Sequence, residues 1–202
     1  MFKLNTILQH FQKVDPILFK TAKEFGIEQL ELRNTEDYFH ALCYEIVGQQ
    51  LAKQVARTIF SRFQTLFPNN KITAKQIQLL SEETLRNTGM SWSKARFIKD
   101  LAQKVNDKTL NLANLTKLDN MQVIKALTSV KGIGPWTAEM FLMFTLGRED
   151  VFSYGDLGLK NAIIKLYSLN KDVSKAQIEN IVSKWSPYKT YACKILWKSL
   201  RN

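Results

Sequence analysis

Residues 129–141, SVKGIGPWTAEMF, place two glycines and a proline between two apolar helical patterns. Gly132 and Gly134 allow positive φ and leave main-chain amides uncovered. Pro135 suits the first turn of the helix that follows, where its missing N–H costs nothing. Successive amides at a helix N-terminus bind anions, and a DNA phosphate is the natural candidate here. The alternative is a tight turn between helices that binds no ligand.

The charge of the chain favours the same kind of partner. Lys and Arg number 29 against 18 Asp and Glu, which gives the 202 residues a formal net charge of +11. Such an excess is typical of proteins that bind DNA, RNA or an anionic membrane surface, although a merely basic protein would have the same composition. A hydrophobic content of 45% excludes a disordered tail and indicates a folded core.

The cysteines and histidines form no recognisable metal-binding pattern. Cys43 and Cys193 lie far apart in apolar helical contexts, which is typical of reduced core residues. His10 and His40 lack the spacing of a metal site. No apolar run approaches the ~20 residues of a membrane span, and the N-terminus lacks the apolar core of a signal peptide. We therefore expect a cytoplasmic protein without a cofactor, associated with the nucleoid if it is bacterial.

Hydrophobic periodicity predicts an all-α fold, with about ten short helices and no convincing strand. Gly26 and Gly89 are expected to end helices, and Gly48 to interrupt one. The expected N-caps are Asp15, Asn34 or Thr35, Thr73, Ser81, Ser91 or Ser93, and Asp119.

The turn within residues 129–141 and the helical patterns on either side of it resemble the helix–hairpin–helix element of DNA repair enzymes. Within this hairpin, VKGIGPWTA is similar to the hairpin sequence of the 3-methyladenine DNA glycosylase II family. The resemblance implies two helical lobes with a DNA-facing cleft between them, in the compact form that lacks an N-terminal β domain. One lobe would combine residues 1–33 and 119–202, and the other would hold residues 34–118. Four further motifs resemble that family in the same order: EIVGQQLA (45–52), GMSWSKARFIKDLA (89–102), DVFSYGDLGLKNA (150–162) and WSPYKTYA (185–192).

The resemblance assigns the catalytic carboxylate to Asp156, within VFSYGDLGLK. A carboxylate there would stabilise positive charge on the sugar and orient the attacking water. From its neighbours alone, Asp156 is equally suited to capping the next helix, and the two roles are compatible. Bifunctional relatives such as endonuclease III have a lysine where this chain has Trp136, so the resemblance implies base release without strand cleavage.

Aromatic residues in or beside these motifs are candidates for the pocket that receives a flipped base. An electron-rich face binds a cationic alkylated base better than a neutral one. Each candidate is also suited to core packing. Glu45 lies in an otherwise apolar helix face and either contacts a base edge or pairs with lysine or solvent. The aromatic candidates are Trp136, Tyr154, Phe152, Tyr44 and Trp92, and two further ones are Tyr38 and Trp185.

Further DNA contacts follow from the resemblance. The break at GQQ would carry the side chain that fills the duplex after base flipping, unless it is an ordinary helix corner. Main-chain carbonyls of Thr128, Val130 and Ile133 are similar to those that hold Na⁺ or K⁺ in related hairpins. The candidates for the wedge are Gln49, Gln50 and Leu51, and those for phosphate binding are Lys131, Gly132, Ile133, Gly134 and Thr137.

The expected function is excision of alkylated purines, of the 3-methyladenine or 7-methylguanine type, from duplex DNA by a monomer that leaves an abasic site. One alternative is a non-catalytic helix–hairpin–helix protein that only binds DNA. Another is a glycosylase for a different damaged base, such as oxidised guanine, against which the absent lysine and the GPWTA pattern argue.

Overall fold

The computed structural model describes residues 2–30 and 37–200, and every regular element in those residues is helical, as predicted. Three short 3-10 helices, Pro68–Asn70, Leu112–Lys117 and Ser183–Trp185, connect longer ones. The α-helices are α1 (Phe2–Val14), α2 (Pro16–Phe25), α3 (Tyr38–Gly48), α4 (Lys53–Gln64), α5 (Ala74–Leu79), α6 (Glu82–Arg86), α7 (Trp92–Asn106), α8 (Asn120–Thr128), α9 (Pro135–Phe144), α10 (Leu157–Leu166), α11 (Lys175–Val182) and α12 (Lys189–Ser199).

Side-chain caps begin most of these helices at predicted positions. Asp15, Thr73, Ser81 and Asp119 each accept a hydrogen bond from a main-chain N–H in the first turn of their helix. Of the two serines proposed for α7, the cap is Ser91. Asn34 and Thr35, the caps expected for α3, lie outside the described residues, and the side chain of Asp37 accepts from the N–H of His40 instead.

Contacts between Cα atoms divide the chain into two units. The terminal unit consists of Met1–Leu32 and Leu142–Asn202, and the central unit of Arg33–Phe141. The expected division placed the hairpin with the C-terminal third, whereas the contacts group it with the central helices. The physical reason is local, because the hairpin turn packs against the ring of Phe97 on α7 and donates to Asp100. The expected boundary at residue 33 lies outside the described residues.

The terminal unit surrounds a buried acidic residue. Asp15 is 5% exposed, and its carboxylate accepts from the N–H of Leu18 at 3.0 Å, the hydroxyl of Tyr167 at 2.6 Å and the indole N–H of Trp185 at 2.8 Å. Burial raises the pKa of Tyr167, and the bond to Asp15 raises it further. Three donors compensate the desolvated carboxylate, so α1, α2, α10 and the segment before α12 share one satisfied polar core.

The central unit packs around aromatic side chains on α4 and just after it. Phe60, Phe63 and Phe67 are each at most 4% exposed and contact one another with ring centroids 5.1 to 5.8 Å apart. Cys43 on α3 is fully buried, and burial raises the pKa of its thiol. Cys43 and Cys193 are both buried, which confirms their predicted place in the core.

In residues 2–30 and 37–200, no helix combines the length and the apolar character that crossing a membrane requires. Within the same ranges, no group of three His, Cys, Asp or Glu side chains is arranged to hold a metal ion.

Candidate DNA-binding and catalytic site

The hairpin turn between α8 and α9 depends on one glycine. Gly132 has φ +81°, and a Cβ atom built there would lie 2.0 Å from Cδ2 of Phe97. Gly134 differs, because a Cβ atom there would meet nothing within 4 Å. The first glycine is therefore required by packing and backbone conformation, and the second leaves the main chain open to a ligand. Pro135 begins α9, as predicted.

Some of the hairpin amides already have acceptors within the protein. The N–H of Lys131 donates to Oδ2 of Asp100 at 2.8 Å, and the N–H of Ile133 donates to the carbonyl of Val130 at 3.1 Å. Of the residues predicted to bind phosphate, Lys131, Gly132 and Gly134 are exposed. Ile133 and Thr137 are 4% and 5% exposed. The accessible part of this predicted set is thus the lysine side chain and the glycine backbone.

The corner after α3 contains the three wedge candidates, and the structure separates them. The side-chain amide of Gln49 donates to the carbonyl of Gly132 at 2.8 Å, so this residue faces the hairpin turn. Gln50 is exposed and has φ +56°, and Leu51 is 36% exposed. Gln50 and Leu51 therefore present side chains to solvent, which a wedge requires.

Lys94 on α7 forms hydrogen bonds to the same corner. Its ammonium donates to the carbonyl of Val47 at 2.9 Å and to that of Gln49 at 2.7 Å. These carbonyls belong to the last turn of α3 and its C-cap, where the helix has no internal donors left to offer. Burial lowers the pKa of Lys94. The sequence offered no signal for this role, because a lysine on a helix is most simply a solvated residue.

Asp156 caps α10, as its neighbours predicted. Its Oδ1 accepts the N–H of Leu159 at 2.9 Å and lies 3.3 Å from the indole nitrogen of Trp197 on α12. The residue is half-buried. The carboxylate therefore lies at the N-terminus of a helix with two N–H groups near Oδ1, and a carboxylate fixed in this way can stabilise a cation. Trp197 was not among the predicted site residues, since only the packing of α12 brings it to Asp156.

Two predicted pocket aromatics lie just before Asp156 in the terminal unit. Phe152 is 7% exposed and Tyr154 is 37% exposed, with ring centroids 4.8 Å apart in an edge-to-face arrangement. The ammonium of Lys175 lies 5.4 Å from the ring centroid of Tyr154. Burial raises the pKa of Tyr154, and the charge of Glu179 raises it further. Phe152 is therefore mainly a core residue, whereas Tyr154 presents part of its ring.

The other pocket candidates lie in the central unit. Trp136, at the first turn of α9, is 46% exposed, and Trp92 is 45% exposed with the Arg86 guanidinium 5.3 Å from its ring centroid. Tyr44 packs edge-to-face on Phe60 at 5.0 Å. Glu45 is half-buried.

The two further aromatics are packed against other rings. Tyr38 contacts Phe141, with ring centroids 5.8 Å apart. Trp185 is fully buried and bonded to Asp15, so its surroundings are those of a core residue.

The predicted cation ligands are neutral main-chain oxygens. The carbonyl of Val130 accepts one hydrogen bond, from Ile133, and a carbonyl oxygen has two lone pairs. Hard cations prefer oxygen ligands, so the donor set of Thr128, Val130 and Ile133 suits Na⁺ or K⁺ by its chemistry.

Comparison with known sequences identifies relatives along the whole chain. The profile of the HhH-GPD superfamily, described as base excision DNA repair proteins, matches residues 43–187. The chain is 31% identical to a putative DNA-3-methyladenine glycosylase of Bacillus subtilis, over 98% of this chain and 69% of that protein. It is 32% identical to a DNA-3-methyladenine glycosylase of Saccharomyces cerevisiae, over 97% of this chain and 79% of that protein.

Solved structures with the same fold include two related enzymes. A DNA-3-methyladenine glycosidase from Bacillus halodurans superposes with a TM-score of 0.82 at 35% identity, covering 94% of this chain and 86% of that one. The 3-methyladenine DNA glycosylase Mag1 of Schizosaccharomyces pombe, in complex with abasic DNA, gives 0.78 at 28% identity, covering 98% and 97%. The helical fold predicted from the motifs is thereby confirmed.

Proposed function

We propose that this chain, which belongs to the HhH-GPD superfamily of base excision DNA repair proteins, hydrolyses the N-glycosidic bond of alkylated purines in duplex DNA. The observation that carries the proposal is Asp156, a half-buried carboxylate at the N-terminus of α10 that accepts the Leu159 N–H and lies beside the Trp197 indole. The relatives named DNA-3-methyladenine glycosylases support the choice of substrate.

Asp156 supplies the electrostatic part of the reaction. As the bond between sugar and base breaks, positive charge develops on the sugar, and a fixed carboxylate stabilises it. The hydrogen bond from Leu159 fixes Oδ1, so little reorganisation is needed when the charge appears. The same carboxylate orients the water that attacks the anomeric carbon. An alkylated purine is already cationic, so the departing base needs less protonation than a normal base.

The hairpin contacts the DNA backbone, and the positive net charge of the chain adds electrostatic attraction to it. The exposed backbone at Gly134 and the exposed side chain of Lys131 can approach a phosphate without losing an internal contact. A monovalent cation held by the carbonyls of Thr128, Val130 and Ile133 would add positive charge at the same phosphate. We expect a monomer that works in the cytoplasm, or in the nucleoid if it is bacterial.

Recognition of the base would use an exposed aromatic face. Trp136 and Tyr154 are the candidates with the most open rings among those in the hairpin and in the Asp156 motif. The Lys175 ammonium near the Tyr154 ring would compete with a cationic base for one face of it. We expect Trp136, the more exposed of the two rings, to be the platform for an alkylated purine.

The test is base release from duplex DNA treated with a methylating agent. We expect chromatography to detect free 3-methyladenine and 7-methylguanine after incubation with the protein, well above the slow spontaneous release from DNA alone. Oxidised-guanine duplex serves as the second substrate. Release of oxidised guanine in place of methylated purines would overturn the substrate assignment, and binding of both duplexes with no release would indicate a DNA-binding protein without glycosylase activity.

Strand cleavage is tested on the same substrate. A β-lyase needs an amine that forms a Schiff base with the sugar, and this chain has Trp136 at the position of the lysine in bifunctional relatives. The product should therefore be intact abasic DNA that breaks only after added alkali or heat. Borohydride present during the reaction should trap no covalent adduct, and an adduct formed at the rate of base release would contradict the monofunctional assignment.

A further inference from the structure

Helix α7 contacts both of the DNA-binding turns in the central unit. Lys94 donates to the carbonyls of Val47 and Gln49 at the corner after α3. One helical turn later, the ring of Phe97 fills the space that a side chain at position 132 would need. Asp100 then accepts the N–H of Lys131. Residues spaced by three along a helix share one face, so a single face of α7 supports the corner and the hairpin.

A direct bond joins the two turns to each other. The side-chain amide of Gln49 donates to the carbonyl of Gly132 at 2.8 Å, while the main-chain carbonyl of Gln49 accepts from Lys94. The side chain of Gln49 is thus occupied in the free protein by a contact to the hairpin. Gln50 and Leu51, the next residues along the corner, are exposed.

We propose that Gln49 and Lys94 are positioning residues that lock the corner after α3 to the hairpin turn, so that the wedge and the phosphate-binding turn meet the duplex as one rigid body. This inference rests on the proposed function and adds roles for two residues within it. Filling the gap left by a flipped base requires the wedge to be placed to within a fraction of an ångström relative to the phosphate that anchors the strand. Without Lys94, the carbonyls of Val47 and Gln49 would lose this donor, next to Gln50 with its φ of +56°.

The geometry also separates positioning from phosphate affinity. Gln49 carries no charge, so its replacement should leave the electrostatic attraction to DNA unchanged. The ammonium of Lys94 donates to two main-chain carbonyls, and burial lowers the pKa of Lys94. This residue therefore contributes little as a phosphate contact. Loss of either residue should therefore slow the steps after binding much more than it weakens binding itself.

The first experiment measures the coupling without any substrate. Hydrogen–deuterium exchange of the free protein should show faster exchange at the hydrogen-bonded hairpin amides, those of Lys131 and Ile133, in Gln49→Ala and in Lys94→Met, by about tenfold relative to wild type. Exchange in α10 and α12 should not change. Gln103→Ala, an exposed glutamine on α7, and Lys75→Met, an exposed lysine on α5, are the matched controls. Unchanged hairpin exchange in both test variants would overturn the proposal.

The second experiment measures the consequence for the reaction. At saturating enzyme, Gln49→Ala and Lys94→Met should each reduce single-turnover release of methylated purines about tenfold, with less than threefold change in Kd for undamaged duplex. The double variant should be little worse than the poorer single one, since both act on one arrangement. Lys94→Arg should recover part of the rate. An equal loss in Kd and rate, or full additivity, would show separate effects and overturn the coupling.

The two experiments keep this inference and the proposed function distinguishable. If wild type releases no methylated base, the proposed function fails, while the exchange experiment still decides whether the corner and the hairpin are locked together. If wild type is active and the exchange pattern is unaltered in the variants, the function stands and the positioning roles do not.

Discussion

The turn before α9 and the turn before α10 both deliver the chain to a helix N-terminus, but they are built differently. The hairpin turn is proposed to act through its main chain, and Gly132 is needed there because a side chain would collide with Phe97. The turn before α10 is proposed to act through one side chain, that of Asp156, which caps the helix and lies beside Trp197. The main-chain N–H of Asp156 donates to the carbonyl of Ser153, a residue with no exposed surface.

We therefore expect the two turns to tolerate different kinds of substitution. A turn that works through its main chain is sensitive to added side-chain volume and backbone conformation, and it contributes mainly to binding. A turn that works through a carboxylate is sensitive to charge, and it contributes mainly to the rate of the chemical step. Four predictions, ordered from the largest expected effect to the smallest, test this separation.

Asp156→Asn should lower the rate of base excision at least ~10²-fold while leaving the fold and DNA affinity intact. Asparagine can still cap α10, so stability is kept, but the charge that faces the developing cation is lost. Single-turnover release from methylated duplex measures the effect. Asp119→Asn, the same change at the cap of α8, is the control and should leave the rate unchanged. A near wild-type rate in Asp156→Asn would remove this residue from catalysis.

Gly132→Ala should destabilise the protein by about 2–4 kcal/mol, because the new Cβ combines a positive φ with a collision against Phe97. Gly134→Ala should cost less than about 1 kcal/mol, since its Cβ would meet open space. Urea unfolding of both variants gives the two free energies. Similar losses of stability would contradict the assignment of different roles to the two glycines.

The affinity for undamaged duplex should fall at least ~10-fold between 50 and 200 mM salt, since phosphate contacts release counterions. The net charge of +11 and the exposed hairpin backbone are the basis of this expectation. Fluorescence anisotropy with a labelled duplex measures the salt slope, and Asp156→Asn should give the same slope as wild type. An affinity that barely changes with salt would exclude the charge as the main source of binding.

Trp197→Phe should lower excision by about 3–10-fold, the worth of one ordinary hydrogen bond. Phenylalanine keeps the packing against Phe144 and removes the N–H that lies 3.3 Å from Asp156. The loss should appear in kcat with KM unchanged, which a general loss of structure would not produce. The control is Trp185→Phe, which loses the bond to Asp15 and should reduce stability without a specific loss in kcat.

Much of the fold was predictable because helices are specified by local patterns. Asp15, Ser81, Asp119 and Asp156 cap helices where a short polar side chain precedes an apolar repeat, and the N–H groups that they bind lie within three residues. The hairpin was predictable for the same reason, since its conformation depends on Gly132 and Pro135 within one short turn.

The helical fold, the hairpin, the cap at Asp156 and, through ordered motifs, the likeness to a repair family could all be predicted from the sequence alone. The tertiary structure added the contacts that hold these residues in place. Lys94 bonds the corner after α3, Asp100 and Phe97 contact the hairpin turn, and Trp197 lies beside Asp156. It also placed the side-chain amide of Gln49, one of the wedge candidates, against the carbonyl of Gly132. Bonds between residues far apart in sequence leave no periodic or spacing signal, because their partners meet only after the helices have packed.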